Sequence, residues 1–269
     1  MKFDTLLRFA FIETRLFWED GLKAGDLVAV FDLTRQTAQA VIENYRHRYP
    51  GQMRYDASKK RQVATEDFEP HHISMRTLDF LDFLRGDNLR KHYLDEQCDW
   101  SELAVYDVDC LLRPAVLRSV IQPILAALRH QQTLYIEYRS KYNNPIRCRV
   151  ISPNHLVFAD ERYHLLAYCH TLNQYLDFVL SRIIWVETAD EDWVSAEQSD
   201  KWKDSTLRFQ PNPKLPKEVQ ATLLRGYSNG EQDFWEINCK QDAEHYICRK
   251  LERLKDEDNE TPLWVKISP

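Results

Sequence analysis

The chain has 269 residues, 43% of them hydrophobic and 12% aromatic, with a net charge of −6 at neutral pH. That length exceeds what one compact core accommodates and predicts two or three domains. No apolar run reaches the ~20 residues that span a bilayer, and Met1-Lys2-Phe3-Asp4 lacks the basic-then-apolar layout of a signal peptide. A cytoplasmic protein with no membrane partner is therefore expected. Six cysteines (98, 110, 148, 169, 239 and 248) form no CxxC pair, which suits a reducing compartment and thiols acting as small core residues.

Phe3, Leu6, Leu7, Ala10, Phe11, Phe17 and Trp18 follow helical spacing and predict a first helix over 3–19, ending before Gly21. Residues 25–32 suit a short second helix before a turn at Asp32-Leu33. Thr34 can cap a third helix over 34–48, with Ala38, Val41, Ile42 and Tyr45 on one face and Gln36, Gln39, Ala40 and Glu43 outside. Pro50-Gly51 stops it. Met53-Arg54-Tyr55 and Gln62-Val63-Ala64 then flank the turn Asp56–Arg61 as a hairpin.

Charge sharpens this reading. Between 34 and 65 there are seven Lys/Arg against two acids, a local +5 that leaves −11 on the rest of the chain. A short capped helix with readable polar side chains, followed by a cationic hairpin, is how a winged helix-turn-helix grips duplex DNA. Behind the Thr34 cap, Gln36 or Gln39 can pair two-pronged with adenine, Arg35 can reach guanine or a phosphate, and Ala40 can meet a thymine methyl. Arg54, Tyr55, Ser58, Lys59, Lys60 and Arg61 belong to the wing and suit backbone phosphates. The competing reading is a non-catalytic sensor whose N-terminal module binds a protein partner and whose basic hairpin is a solvated turn.

Phe68-Glu69-Pro70 marks a boundary, after which 74–130 is again helical: Leu78, Leu81, Phe83 and Leu84; Leu103 and Val105; then Val116 to Leu128, with Pro123 expected to kink the last run. At Gln132 the period changes. Leu134–Tyr138, Arg147–Ile151, Leu156–Phe158, Tyr163–Cys169 and Phe178–Val186 predict five strands of a small, strongly bent barrel. Beyond the polar link 190–204, Leu207–Gln210, Lys217–Arg225, Phe234–Cys239, Ala243–Leu254 and Leu263–Ile267 give a βαβαβ order close to a ferredoxin-like layout. The expected class is α+β, in four segments: 1–70, 71–131, 132–189 and 190–269.

Segment 132–186 is rich in groups suited to an anion or nucleotide: Tyr138, Ser140, Arg147, Arg149, Asn154, His155, Arg162, Tyr163, His164, His170 and Arg182. Alternation sends Tyr163, Leu165, Ala167 and Cys169 to one face of a strand, and His164, Leu166 and Tyr168 to the other. Taken singly, each is more often a structural residue. Cys169 and His170 point to opposite faces and no second pair completes a zinc site. There is no Gly-rich phosphate loop, GxSxG elbow or HExxH. No catalysis, catalytic residue, metal or cofactor is expected.

With these residues in view, the chain resembles the WYL-domain transcriptional regulators with an N-terminal winged helix-turn-helix and a C-terminal extension that accompany bacterial phage-defence islands, the BrxR/CapW type. The resemblance covers nearly the whole chain. It rests on Pro50-Gly51, Tyr55-Asp56-Ala57-Ser58-Lys59-Lys60-Arg61, Phe68-Glu69-Pro70, Ser152-Pro153, Arg162-Tyr163-His164-Leu165, Ala167-Tyr168-Cys169 and Asp177-Phe178-Val179-Leu180-Ser181-Arg182-Ile183. Tyr163 and His164 replace the first two letters of the name-giving Trp-Tyr-Leu, and Leu165 is kept. Leu166 stands where the family often has Arg. The resemblance implies a homodimeric repressor binding an inverted repeat upstream of a defence operon. It also implies an SH3/Sm-like WYL barrel sensing a nucleotide or nucleic-acid effector, and a C-terminal domain that dimerises. The effector-site residues would be Tyr138, Ser140, Arg149, Asn154, His155, Arg162, Tyr163, His164 and Arg182.

Overall fold

The computed structural model describes residues 3–86, 109–140, 146–199, 202–228, 232–255 and 261–267. The fold is mixed α/β and divides into two compact units, Met1–Pro153 with Leu180–Glu191, and Asn154–Val179 with Asp192–Pro269. Among the described residues no helix is long and apolar enough to cross a membrane. Leu103 and Val105 lie outside the described residues.

The first unit opens with α1 (Phe3–Trp18), α2 (Ala24–Phe31) and α3 (Arg35–Arg48), then β1 (Met53–Asp56) paired antiparallel with β2 (Arg61–Ala64). Phe9 to Thr14 are all buried, the signature of a helix covered on every side. On one side Phe9, Ile12 and Leu16 meet Leu27, Ala38, Ile42, Tyr45 and Met53 in a single core. On another, Trp18 stacks on Phe80 at 4.7 Å, from α4 (Thr77–Leu84). The helix Arg118–His130 runs unbroken through Pro123 and buries Val120, Ile121, Ile124 and Leu125. It is tied to the end of α1: Arg118 and Gln122 donate to the Phe17 carbonyl at 2.9 and 2.5 Å. Arg118 also lies 3.6 Å over the Phe17 ring.

β3 (Leu134–Tyr138) is flanked by β4 (Arg147–Ala159) and β7 (Ile183–Thr188), and β5 (Arg162–Cys169) pairs with β6 (Gln174–Val179). The strand order is β6-β5-β4-β3-β7. Two expectations need correction. Arg147–Ile151 and Leu156–Phe158 are one strand, β4, not two separated by a turn at Ser152-Pro153-Asn154. The β3 register ends at Leu134↔Ile151, so Pro153 stands past the last bond to β3, where its missing N–H costs nothing in that ladder. Phe178–Val186, in turn, is not one strand. A 3-10 turn at Leu180–Arg182 ends β6 and starts β7, which then pairs with β3 instead of β5. The strand count was right only because these two errors cancel.

β4 and β5 are joined by Asp160-Glu161, with φ of 48° and 60°, the two left-handed residues of a tight hairpin turn. In the second unit β8 (Asp204–Pro211) lies between β10 (Trp264–Ile267) and β9 (Trp235–Lys240) in an antiparallel sheet. The helices Lys217–Ser228 and Glu244–Arg253 complete the expected βαβαβ element order. Leu207, Phe209, Leu251 and Trp264 form its core.

Candidate nucleic-acid interface

α3 is positioned from its buried face. Thr34 caps it, its hydroxyl accepting from the Thr37 N–H at 3.1 Å. Tyr45 donates to the Glu13 carboxylate at 3.0 Å, and the other oxygen of Glu13 accepts the backbone N–H groups of His71 and His72 at 2.9 and 2.6 Å. One buried carboxylate thus joins α1, α3 and the segment after the hairpin. Burial pushes the Glu13 carboxyl up to about 7, against the pull of those three hydrogen bonds. Burial, with His71 and Arg48 beside it, brings His72 down to about 4, and its ring shares a 2.8 Å hydrogen bond with the Tyr49 hydroxyl.

With Ala38, Ile42 and Tyr45 turned inward, Arg35, Gln36, Gln39, Ala40, Glu43, Asn44 and His47 are exposed. With the Thr37 N–H taken by the Thr34 cap, the N–H groups of Arg35 and Gln36 are those of the first turn that suit an anion.

The hairpin is aimed by its base. Leu22 and Gln62 exchange two backbone hydrogen bonds of 2.9 Å, a single β-bridge that ties the segment before α2 to β2. Gly21 makes this approach feasible: its φ is +104° and a Cβ there would lie 2.0 Å from the Gln62 carbonyl oxygen. Arg46 of α3 reaches the Gln62 side chain at 3.1 Å. At the tip, Asp56 accepts from the Ser58 N–H, the Ser58 hydroxyl and the Lys59 N–H at 2.9, 2.6 and 3.0 Å, and Lys60 takes a φ of 52°. Those hydrogen bonds, the Ser58 hydroxyl's first, hold the Asp56 carboxyl below its usual range.

Between α2, α3 and the hairpin lies an open groove of about 750 Å³. Lys23, Arg35, Arg46, Lys60 and Arg61 line it, with Glu43 the one acid in its lining among the described residues. Gln39 and Tyr55 line it too. The structure therefore brings Arg35, Gln39, Tyr55, Lys60 and Arg61 to one surface. Arg54, Lys59 and Gln36 are exposed but lie outside its lining. Ser58 is occupied in the turn. Arg61 is half-buried, 3.9 Å from Asp20. Lys23 and Arg46 were not anticipated. Lys23 sits ahead of α2 where no motif flags it, and Arg46 is separated in sequence from the hairpin it touches.

The side chains expected at an effector site are divided between the two units. In the first unit the β3–β4 register sets Tyr138 opposite Arg147 and Ile136 opposite Arg149. Tyr138, Arg147 and Arg149 thus share the face that carries buried Leu134 and Ile136. Ser140 and Arg182 lie close by in sequence and register, the Arg182 carbonyl accepting the Arg139 N–H at 3.0 Å. In the second unit Asn154 is bonded to the Val194 carbonyl at 3.0 Å and the Ala196 N–H at 2.6 Å. His155 stacks on Trp202 at 3.5 Å; burial lowers its pKa. Tyr163 is buried 4.8 Å from Phe158.

His164 is buried as well. Its Nδ1 lies 2.8 Å from Asp177, whose other oxygen accepts the Tyr246 hydroxyl. The network joins β5 and β6 to the helix Glu244–Arg253. Burial raises the Asp177 pKa, but the hydrogen bonds from His164 and Tyr246 outweigh it and leave the carboxyl below its usual range. Burial and the Asp177 hydrogen bond raise the Tyr246 phenol far above its ordinary value. No cluster of three or more metal-ligating side chains occurs among the described residues.

This architecture matches two domain profiles. The BrxR transcriptional regulator winged helix-turn-helix domain matches residues 4–86, and the WYL domain matches residues 119–188. The chain thus carries a winged helix-turn-helix domain of the BrxR regulator type and a WYL domain. It is homologous along 97% of its length to the DNA-binding transcriptional repressor CapW of Escherichia coli strain KTE188, with 23% identity over 266 residues and 87% of that protein covered. CapW of Pseudomonas aeruginosa is 22% identical over the same shares of the two chains. These homologues are repressors by name, a non-enzymatic class. Among solved structures, the proteasome accessory factor B/C of Arthrobacter aurescens aligns with 99% of this chain and 46% of its own at 14% identity, with a TM-score of 0.25. That likeness is too slight to argue from.

Proposed function

We propose that this chain is a homodimeric transcriptional repressor that binds an inverted repeat in duplex DNA and answers to a nucleotide or nucleic-acid effector. The cationic groove between α3 and the hairpin carries the reading. Among the described residues, five basic side chains against one acid face a space bounded by a capped helix that holds Gln39 outward. In this reading residues 1–70 bind DNA, 71–131 link, 132–189 sense the effector and 190–269 dimerise. Gln36 and Gln39 read bases, with Arg35 at a guanine or phosphate, while Lys59, Lys60, Arg54 and Tyr55 hold the sugar-phosphate backbone.

The repressor relatives and the split between a +5 segment and a −11 remainder favour the same conclusion: local phosphate attraction without adhesion of the whole surface. Control of a phage-defence operon from the cytoplasm follows from the resemblance to the BrxR/CapW type. Footprinting of the full chain on its own upstream region tests the reading. Protection of two half-sites related by a two-fold axis is expected. Absence of protection, with co-purification of a protein partner bound through residues 1–70, would replace DNA by protein as the ligand of the N-terminal module.

A further inference from the structure

In the second unit three guanidinium groups converge on one carboxylate. Arg249 donates to Asp160, Arg253 lies 3.6 Å from its Oδ1, and Arg162 lies 3.9 Å from its Oδ2. The tight turn at Asp160-Glu161 presents the acid, and Arg249 and Arg253 stand one turn apart on the helix Glu244–Arg253. The Asp160 side chain is 8% exposed, while those of Arg162, Arg249 and Arg253 are 31%, 42% and 62% exposed. The cations are therefore reachable from solvent and the acid lies beneath them.

Neither charge nor hydrogen bonding closes within this group. Three cations meet one anion, and Asp160 is the one carboxylate within 4 Å of them among the described residues. Each guanidinium carries five N–H donors, against about four acceptor sites on a carboxylate. The Nε atoms of Arg162 and Arg249 are buried without an acceptor among the described residues. A donor surplus in a forked geometry, beside a charge surplus, fits an acceptor-rich dianion.

We propose that Arg162, Arg249 and Arg253 form a phosphate-binding site in which Asp160 is the resident counter-ion, displaced when the terminal phosphate of a nucleotide or nucleic-acid strand enters. A phosphate monoester brings close to two negative charges and three strong acceptor oxygens, where Asp160 brings one charge and two oxygens. Two of the three arginines come from the helix that Tyr246 fastens to Asp177 and His164. An occupant would thereby bear on the anchorage of that helix. The site shares Arg162 with the expected effector set and draws Arg249 and Arg253 from the segment after residue 190; it rests on the reading above only for its consequence at DNA, not for binding itself.

Calorimetric titration of the full chain tests it, with inorganic phosphate and with short single-stranded oligothymidylate carrying either a 5′-phosphate or a 5′-hydroxyl. Saturable binding of phosphate in the millimolar range is expected. Asp160→Asn should tighten it about tenfold by removing the competing anion, and Arg253→Gln, at an exposed position, should weaken it about fivefold. Thermal melts would confirm that both variants are folded. Preference for the 5′-phosphorylated strand assigns the phosphate to a strand end. Binding of inorganic phosphate with no uptake of either strand assigns it to a small molecule.

Failure of phosphate to bind the wild type and Asp160→Asn alike overturns the proposal, as does an Asp160→Asn variant no tighter than wild type. Equal binding of both strands with none of inorganic phosphate also overturns it. A chain that takes up phosphate yet ignores duplex DNA refutes the repressor reading alone. A chain that binds its operator but not phosphate refutes this site alone.

Discussion

Glu13 shows how much one side chain can decide. Its carboxylate accepts from Tyr45, His71 and His72 in the core of the N-terminal domain, and burial lifts its pKa from 4.5 to about 7. The folded state therefore binds a proton more tightly than the unfolded chain. The resulting stabilisation is complete below about pH 4.5 and is lost as pH rises to about 7, a slope of up to one proton. Glu13→Gln, close in shape to the protonated acid, is expected to remove that fall and leave the opposite rise from His72, whose pKa, depressed from 6.5 to about 4, favours the fold as pH climbs through that range; urea unfolding at a series of pH values measures the change. An unchanged slope would assign the pH dependence elsewhere. At the other surface of the same domain, Gln39→Ala is expected to relax base preference at one position of the bound sequence by about 1–3 kcal/mol while sparing binding to unrelated sequences. Selection of bound sequences from a randomised duplex pool checks this, and an unaltered profile would remove Gln39 from the reading set.

At the scale of elements, the hairpin depends on its bridge to Leu22. Gly21→Ala places a Cβ on the Gln62 carbonyl in a backbone conformation that alanine resists. It is expected to destabilise the N-terminal domain by about 2–4 kcal/mol and to lower DNA affinity with it. Thermal melting and anisotropy titration of this variant check both effects, and full stability would mean that the Leu22–Gln62 bridge is dispensable.

The winged helix was legible because its signals are local: the Thr34 cap, the 38-42-45 spacing, the Pro50-Gly51 stop and the Asp56–Arg61 turn. The central strands were less so. Pro153 reads as a breaker in isolation, and only the end of the β3 register shows why β4 runs through it. β6 and β7 form one apolar run in sequence, divided by the different strands they pair with. The site was half legible for the same reason. Exposed Gln36 and Gln39 follow from helical period, whereas Arg46 at Gln62 and Tyr246 at Asp177 are contacts 16 and 69 residues apart. Nothing in the residues around Asp177 announces its partner.

For the whole molecule, charge distribution links structure to behaviour. A body carrying −11 repels nucleic acid, so the +5 segment must orient the encounter, and affinity should fall steeply with salt. Base contacts would then add discrimination that phosphate contacts cannot supply. Equilibrium binding of the full chain to a duplex carrying the proposed upstream inverted repeat, and to a scrambled duplex, across a salt series separates these contributions in one experiment. The expected result is a preference for the repeat of about a thousandfold or more. The double variant Lys59→Ala/Lys60→Ala should weaken both duplexes alike and reduce the salt slope by about 2. Equal affinity for the two duplexes, or a salt slope untouched by loss of both lysines, would contradict the assignment of this surface to DNA.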